Sequence, residues 1–328
     1  MRNWIKQIFS AADKKNSEAA PAQGDDGNRD KAQGDAYLQA GNFAQAVLCY
    51  RQAITVNPAY AKAHNNLAFA LNEQGFAIEA QASLVRALAI DPTIADAHYL
   101  LATLLQAQGK SDDAVSHFRQ ALQLAPDFEF AYRDLGFLLF QRGQLHDARQ
   151  VLLQGIAHNP QLADLHVYLS KLYQEERQFD SAIASLQQAL SLQPERADIL
   201  ASLGLLLHKQ NRPEQAVAAL QQAVALNPQL IDAYNNLGNA LQDLKRFAEA
   251  ITSYQLALQL NPEFAELHNN LGNALSGLGK LDEAMACFHR ALEIAPEFAD
   301  AHCNLGNTLR DLGQLDGAVT SYRRALEI

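Results

Sequence analysis

Proline recurs at a fixed interval of 34 residues through most of this 328-residue chain. Repeats of this length build stacked arrays, in which each repeat packs against its neighbours instead of folding around one compact core. Taking Pro58 as place 32 of a repeat divides the chain into residues 1–26, eight complete repeats from residue 27 onwards, and a shorter ninth that ends at Ile328. The prolines that set the period are Pro58, Pro92, Pro126, Pro160, Pro194, Pro228, Pro262 and Pro296.

The overall composition argues against several classes of protein. The formal net charge is −10, which disfavours nucleic acid as a partner because phosphates repel an acidic surface. The three cysteines, Cys49, Cys287 and Cys303, form no CxxC pair, so we expect neither a disulfide framework nor a zinc site, and a reducing, cytoplasmic location. No apolar run approaches about 18 residues, so we expect no transmembrane segment.

Small and apolar residues recur within each repeat at helical spacing. Place 20 is alanine in all nine repeats, place 24 is always large and apolar, and places 4, 7, 8 and 11 follow a helical pattern. Glycine at place 15 in six repeats, and Asn211 in a seventh, favours a left-handed turn between two helices. We therefore predict an all-α fold of antiparallel helix pairs, in which the glycine or alanine at place 8 faces the alanine at place 20.

These positions resemble the pattern of the tetratricopeptide repeat. The resemblance covers residues 27–328 and implies a right-handed superhelical solenoid whose concave groove is lined by the first helix of each repeat. It also implies that places 2, 5, 9, 12 and 13 face the groove, with place 6 beside it, and that the ligand is a protein or peptide. One repeat that carries the pattern contains Leu237, Gly238, Leu241, Ala250, Tyr254, Ala257 and Pro262.

The groove places of the middle repeats carry aromatic side chains beside two cations. This combination suits an extended peptide with apolar and acidic side chains. Two other interpretations stay open, namely that the aromatic residues complete the core or that they form an interface between copies of the chain. The candidates are Phe69, Tyr99, Phe130, Phe137 and Phe140, with Arg133 and Lys171 among them.

Asparagine recurs on one helix face in the last three repeats, which read NNLGNAL, NNLGNAL and CNLGNTL. Such amides can bond the backbone of a passing peptide, or they can bond neighbouring helices, and the sequence does not decide between the two. The ladder resembles the repeats of O-linked N-acetylglucosamine transferases and of bacterial proteins that place such repeats before a glycosyltransferase domain, which implies a role in holding protein substrates. Its members are Asn236, Asn270 and Asn304 at place 6 and Asn239, Asn273 and Asn307 at place 9, with Asn66 at place 6 of the second repeat.

Histidines and acidic residues also recur at fixed places. Five histidines share place 4, and we expect them to pack at the helix seam, because residues that recur once per repeat do not converge on a metal or a catalytic centre. Acidic residues at place 2 of six repeats complement the dipole of the first helix, although they can also select a basic ligand. These residues are His64, His98, His166, His268 and His302, and Asp96, Asp164, Asp198, Asp232, Glu266 and Asp300.

The two ends depart from the repeat. Residues 1–26 predict a flexible leader, in which Trp4, Ile5, Ile8 and Phe9 can form a short amphipathic helix that touches a membrane surface or covers the apolar edge of the first repeat. At the other end the chain stops inside the second helix of the ninth repeat, and we expect further sequence beyond it in the natural gene product.

The sequence as a whole predicts a non-catalytic scaffold that holds an extended peptide or protein segment in its groove, with no cofactor, no metal and no catalytic residue. One alternative is the substrate-recruiting region of a protein glycosyltransferase whose catalytic domain is absent from this chain. The other is a structural oligomer that self-associates through the uncapped C-terminal repeat.

Overall fold

The computed structural model describes residues 27–328, so the predicted leader lies outside the described residues. The described chain contains eighteen α-helices of 12–14 residues and no strand, which confirms the predicted all-α fold of antiparallel helix pairs. Odd-numbered helices are the first helices of the repeats. The helices are α1 Asn28–Gln39, α2 Phe43–Val56, α3 Ala61–Glu73, α4 Ala77–Ile90, α5 Ala95–Ala107, α6 Ser111–Leu124, α7 Glu129–Gln141, α8 Leu145–His158, α9 Ala163–Glu175, α10 Phe179–Leu192, α11 Ala197–Lys209, α12 Pro213–Leu226, α13 Ile231–Asp243, α14 Phe247–Leu260, α15 Ala265–Gly277, α16 Leu281–Ile294, α17 Ala299–Asp311 and α18 Leu315–Glu327.

The chain divides into two compact halves, an N-terminal half up to Pro160 and a C-terminal half from Gln161 to Ile328. Within each half, the first helix of a repeat packs on its own second helix, and that second helix packs on the first helix of the next repeat. Successive first helices also touch, from α1 through α5 in the N-terminal half and from α11 through α17 in the C-terminal half. Each half therefore carries a row of neighbouring first helices. The regular sequence period gives no sign of the division at Pro160.

The turn at place 15 is left-handed in every repeat. The six predicted glycines have φ between 70° and 85°, and Asn211 has φ 56°. Arg177 and Lys245 adopt the same conformation, with φ 58° and 56°, although neither residue type favours it. The close approach of paired helices imposes this backbone conformation whatever residue is present, at a cost of about 1 kcal/mol for a side chain with a Cβ.

The small residue at place 8 makes room for the large residue at place 24. A Cβ added to Gly238 would lie 2.4 Å from the ring of Tyr254, and one added to Gly272 would lie 2.6 Å from the ring of Phe288. The atoms nearest to each added Cβ belong to place 24, because its long side chain reaches across the seam and fills the space that glycine leaves open. The approach of place 8 to the alanine at place 20 stays a prediction.

Four of the five place-4 histidines bond the loop that precedes their helix. In each case Nε2 donates to the carbonyl oxygen of the period-setting proline, since that oxygen can only accept. The predicted packing position is therefore also a hydrogen-bonding position, and it holds the loop between repeats to the next first helix. The pairs are His64 with Pro58 (3.1 Å), His98 with Pro92 (3.1 Å), His268 with Pro262 (2.9 Å) and His302 with Pro296 (3.0 Å).

The third repeat pairs two histidines, and this pair makes its stability depend on pH. His98 Nδ1 lies 2.9 Å from His117 Nδ1. Since His98 carries its proton on Nε2, His117 donates to it. Burial and the neighbouring His98 lower the pKa of His117, whereas Asp113 raises it. Because the pKa of His117 is lower in the folded state than in the unfolded state, protonation favours unfolding. The free energy of unfolding is therefore highest above the unfolded pKa of about 6.5 and decreases as the pH falls below that value.

We expect the free energy of unfolding to decrease as the pH falls below about 6.5, and less steeply in the His117→Gln variant. Urea unfolding at a series of pH values measures both slopes. Identical slopes for the two proteins would contradict the role given to His117.

Candidate peptide-binding surface

Two of the predicted aromatic contacts in the N-terminal half are buried. Phe69 in α3 is 1% exposed and Tyr99 in α5 is 4% exposed. The Tyr99 hydroxyl donates to Asp134 Oδ2 at 2.7 Å, and its ring centroid lies 4.8 Å from that of Phe128. These two side chains therefore retain almost no surface for a partner. The packing interpretation that the sequence left open accounts for them.

The remaining aromatic candidates of this half lie on α7. Phe130, Phe137 and Phe140 are half-buried and recur at helical spacing. The guanidinium carbon of Arg133 lies 5.2 Å from the centroid of the Phe130 ring, and Arg133 Nε donates to Asp134 Oδ1 at 2.7 Å. We call Phe130, Arg133, Phe137 and Phe140 the α7 surface. Its arginine is paired with a carboxylate, so the surface is chiefly aromatic.

Lys171 lies in the C-terminal half, on α9. It is exposed, and its Nζ lies 5.4 Å from the centroid of the Tyr168 ring. This contact holds the ammonium group beside an aromatic face without neutralising it. Lys171 is therefore a cation that an acidic partner residue can reach.

Asn66, the first member of the predicted ladder, holds two repeats together. It is 5% exposed, and its Nδ2 donates to Asp35 Oδ1 in α1 at 2.9 Å. Its Oδ1 accepts from Asn65 Nδ2 at 3.2 Å. Both the donor and the acceptor of the amide are used within the protein, so Asn66 joins neighbouring helices and is not available to a ligand.

Two place-6 asparagines of the C-terminal half are engaged in the same way. Asn270 Nδ2 donates to Asn235 Oδ1 at 3.0 Å, and Asn304 Nδ2 donates to Asn269 Oδ1 at 2.9 Å. The acceptors, Asn235 and Asn269, occupy place 5 of the preceding repeat, a place for which no hydrogen-bonding role was predicted. The repeated Asn-Asn dipeptide was the signal for them.

Asn236 differs from its counterparts at place 6. The residue at place 5 of the preceding repeat is Ala201, which has no side-chain acceptor. Asn236 is half-buried, and its amide has no hydrogen-bond partner among residues 27–328. Both the donor and the acceptor of this side chain are therefore unused by the fold.

The place-9 asparagines divide according to the residue at place 24. Tyr254 donates to Asn239 Oδ1 at 2.7 Å, and Tyr322 donates to Asn307 Oδ1 at 2.8 Å. The eighth repeat has Phe288 at this place and no hydroxyl. Half-buried Asn273 consequently has no partner in the described part of the chain. Burial raises the pKa of Tyr254, so its hydroxyl stays protonated and remains a donor.

The structure thus separates the amides of the ladder that bond a neighbouring repeat from those that do not. We call the face of α13, α15 and α17 that carries Asn236, Asn239, Asn273 and Asn307 the amide face. Asn236 and Asn273 keep a donor and an acceptor, while Asn239 and Asn307 keep their Nδ2 donors. None of the four is fully buried, so a ligand can reach them.

Exposed carboxylates lie one or two turns before the amide-face asparagines on the same three helices. Asp232, Glu266 and Asp300 are exposed, and no lysine or arginine among residues 27–328 pairs with them. Earlier place-2 acids of this half differ, since Arg196 pairs with both Asp164 and Asp198, at 3.0 and 2.7 Å. The amide face therefore has a negative border, whether or not these groups also complement the helix dipoles.

The described residues include no group of three or more histidine, cysteine or acidic side chains placed to hold a metal ion. None of the helices in this part of the chain has the length and apolar character that a membrane crossing requires. All three cysteines are free.

Family models identify the repeats. A model described as TPR repeat matches residues 34–75, and models described as Tetratricopeptide repeat match 60–127, 105–172, 169–231, 231–264, 265–298 and 299–328. The chain belongs to the tetratricopeptide-repeat family. Such repeats form protein-interaction scaffolds, and this chain is accordingly a protein-binding scaffold.

Several solved structures are similar to this chain, and the first two below share its fold. The chain is 22% identical to YrrB, described as a TPR protein with an unusual peptide-binding site, over 56% of this chain and 95% of that one, with a TM-score of 0.52. It is 23% identical to PilF of Pseudomonas aeruginosa, over 59% and 88%, with a TM-score of 0.51. It is 27% identical to MamA, over 48% and 92%, with a TM-score of 0.46. No curated protein matches the chain.

Proposed function

We propose that the C-terminal half binds an extended segment of another protein along the amide face. The observation that carries this proposal is the unused hydrogen-bonding capacity of Asn236 and Asn273, on helices where Asn270 and Asn304 are engaged. Partly exposed amides that the fold does not use are suited to a ligand.

The spacing of the amides fits an extended chain. Packed helices lie about 8–10 Å apart, and an extended chain advances about 3.3 Å per residue. Neighbouring repeats therefore meet the ligand at about every third residue. An asparagine amide offers one acceptor and two N–H donors, which complement the N–H and C=O groups of a peptide backbone. Binding of this kind depends little on the ligand's side chains.

Charge narrows the ligand class. The carboxylates of Asp232, Glu266 and Asp300 border the amide face without described cationic partners. An acidic segment would be repelled there and a basic segment would be attracted, an effect that weakens with salt. In the N-terminal half, we propose that the α7 surface receives apolar side chains of a partner.

The variant Phe288→Tyr tests the role of Asn273. The added hydroxyl is expected to bond Asn273 Oδ1, as Tyr254 and Tyr322 bond their asparagines, and to stabilise the fold by about 0.5–1.5 kcal/mol. It should also weaken binding of unstructured peptides, because the acceptor is then filled. The probe is an arrayed library of synthetic peptides with neutral, basic and acidic members.

The control for this variant is Tyr254→Phe, which removes the corresponding hydroxyl and releases Asn239 Oδ1. Its peptide binding should be retained or strengthened while its stability decreases. Peptide binding that is unchanged in Phe288→Tyr, together with the expected gain in stability, would contradict the use of Asn273 by the ligand.

Two further hypotheses concern the whole protein. If the chain recruits substrates for a sugar transferase, the peptides it retains should be enriched in serine and threonine, the acceptors of O-linked sugars. If it instead self-associates through its C-terminal repeat, light scattering should give a mass that increases with concentration. The absence of catalytic residues and a cytoplasmic location also stay predictions.

A further inference from the structure

We propose that residues 2–9 of this chain occupy the α7 surface of the same molecule and compete there with the partner. The segment reads RNWIKQIF, with four apolar residues and two cations. It is the part of residues 1–26 in which large apolar side chains are concentrated. Only the regulatory consequence rests on the proposed function, since occupancy by the segment can be measured without a partner.

The α7 surface has the chemistry to receive this segment. Its three half-buried phenylalanines offer aromatic faces to Trp4, Ile5, Ile8 and Phe9. Aromatic pairs contribute about 0.5–1.5 kcal/mol each beyond the area they bury. The α7 surface lies next to α5, because Tyr99 of α5 donates to Asp134 of α7, the residue that also pairs with Arg133.

Charge complementarity supports the same occupant. Asp96 lies on α5, one turn before Tyr99, and is half-buried. Burial raises its pKa to about 6, and no described lysine or arginine pairs with its carboxylate. A cation placed beside this group would restore its ionised form. Arg2 and Lys6 supply such cations from within the segment.

The connecting chain is long enough. The 17 residues between Phe9 and Gly27 span up to about 60 Å when extended and about 23 Å as a flexible coil. The row from α1 to α5 continues to α7 through the bond between Tyr99 and Asp134, which makes three steps of about 8–10 Å each. A flexible connection of this length gives an effective concentration in the millimolar range. Even an affinity of about 100 μM would then keep the surface occupied in about nine molecules of ten.

The single tryptophan of the chain makes the proposal directly measurable. In the full-length protein, Trp4 fluorescence should be shielded from a neutral quencher such as acrylamide, at a level independent of protein concentration. The double variant Phe130→Ser with Phe137→Ser should lose this shielding. The matched control Phe76→Ser alters an exposed phenylalanine of the same half and should retain it. Circular dichroism confirms that each variant is folded.

A second variant keeps the test valid if the double variant unfolds. Ile8→Asp changes only the segment and should expose Trp4. It should also increase the affinity of the α7 surface for an apolar synthetic peptide by about tenfold, the factor set by the occupied fraction.

Four outcomes would overturn the proposal. The first two are a solvent-exposed Trp4 in the unmodified protein and shielding of Trp4 that persists in Ile8→Asp. The other two are shielding that appears only as the mass increases to that of a dimer, and shielding that requires added lipid vesicles. The last two would assign the segment to a second copy or to a membrane surface. Neither of these two outcomes affects the test of the amide face, because that test measures peptide binding by asparagine variants of the C-terminal half.

Discussion

Replacing Tyr254 with alanine is expected to lower the free energy of unfolding by about 3–5 kcal/mol. The ring is fully buried and fills the space above Gly238. Alanine would leave a cavity at the seam of α13 and α14 and would also remove the hydroxyl that bonds Asn239 and Gln242. Urea unfolding followed by circular dichroism measures the loss. Hydrogen exchange should show the amides of these two helices losing protection first, because repeats contact only their neighbours.

The matched variant Tyr254→Phe separates packing from hydrogen bonding. It keeps the ring and reproduces the phenylalanine that the next repeat already has in Phe288. The expected loss is only about 0.5–1.5 kcal/mol for each hydrogen bond removed. If the alanine variant were no less stable than the phenylalanine variant, the seam between places 8 and 24 would not have the central role assigned to it.

Replacing Asn236 and Asn273 together with alanine is expected to weaken peptide binding by about 10- to 100-fold. Each lost side chain would remove hydrogen bonding to the backbone of the bound peptide that contributes about 0.5–1.5 kcal/mol, and the two losses together correspond to this range. Fluorescence anisotropy with a labelled peptide selected from the array measures the change. Stability should change little, because neither amide takes part in a hydrogen bond within the described chain.

The control for the double variant is Asn304→Ala. Its amide donates to Asn269, so its loss should reduce stability more than affinity. The two variants are therefore expected to show opposite patterns in the two measurements. Equal losses of affinity in both would mean that the amide face acts as one structural unit, and the division into structural and unused amides would be wrong.

The repeat and its helix pairs could be predicted from the sequence because they depend on local patterns. Glycine at place 15 and proline at place 32 bound the helices, and the period places them in register. Arg177 and Lys245 could not be predicted as left-handed, because the paired helices impose that turn on them. The same holds for the buried position of Phe69, which depends on packing beyond its own helix.

The amide face was only half predictable. The sequence identified the recurring asparagines, but their use depends on residues in other helices. Asn270 donates to Asn235, which lies at place 5 of the preceding repeat. Asn236 has no such acceptor, because the corresponding residue of the repeat before it is Ala201. Asn273 keeps its acceptor because the second helix of its repeat carries Phe288. Such pairings become visible only when neighbouring helices are compared place by place.

The most direct test of the proposed binding surface is to follow the asparagine side-chain amides by NMR during titration with a peptide selected from the array. We predict that the signals of Asn236 and Asn273 shift and saturate with the peptide, while those of Asn235 and Asn269, which accept bonds from the next repeat, move much less. Saturating shifts at Asn235 and Asn269 without shifts at Asn236 and Asn273 would contradict it.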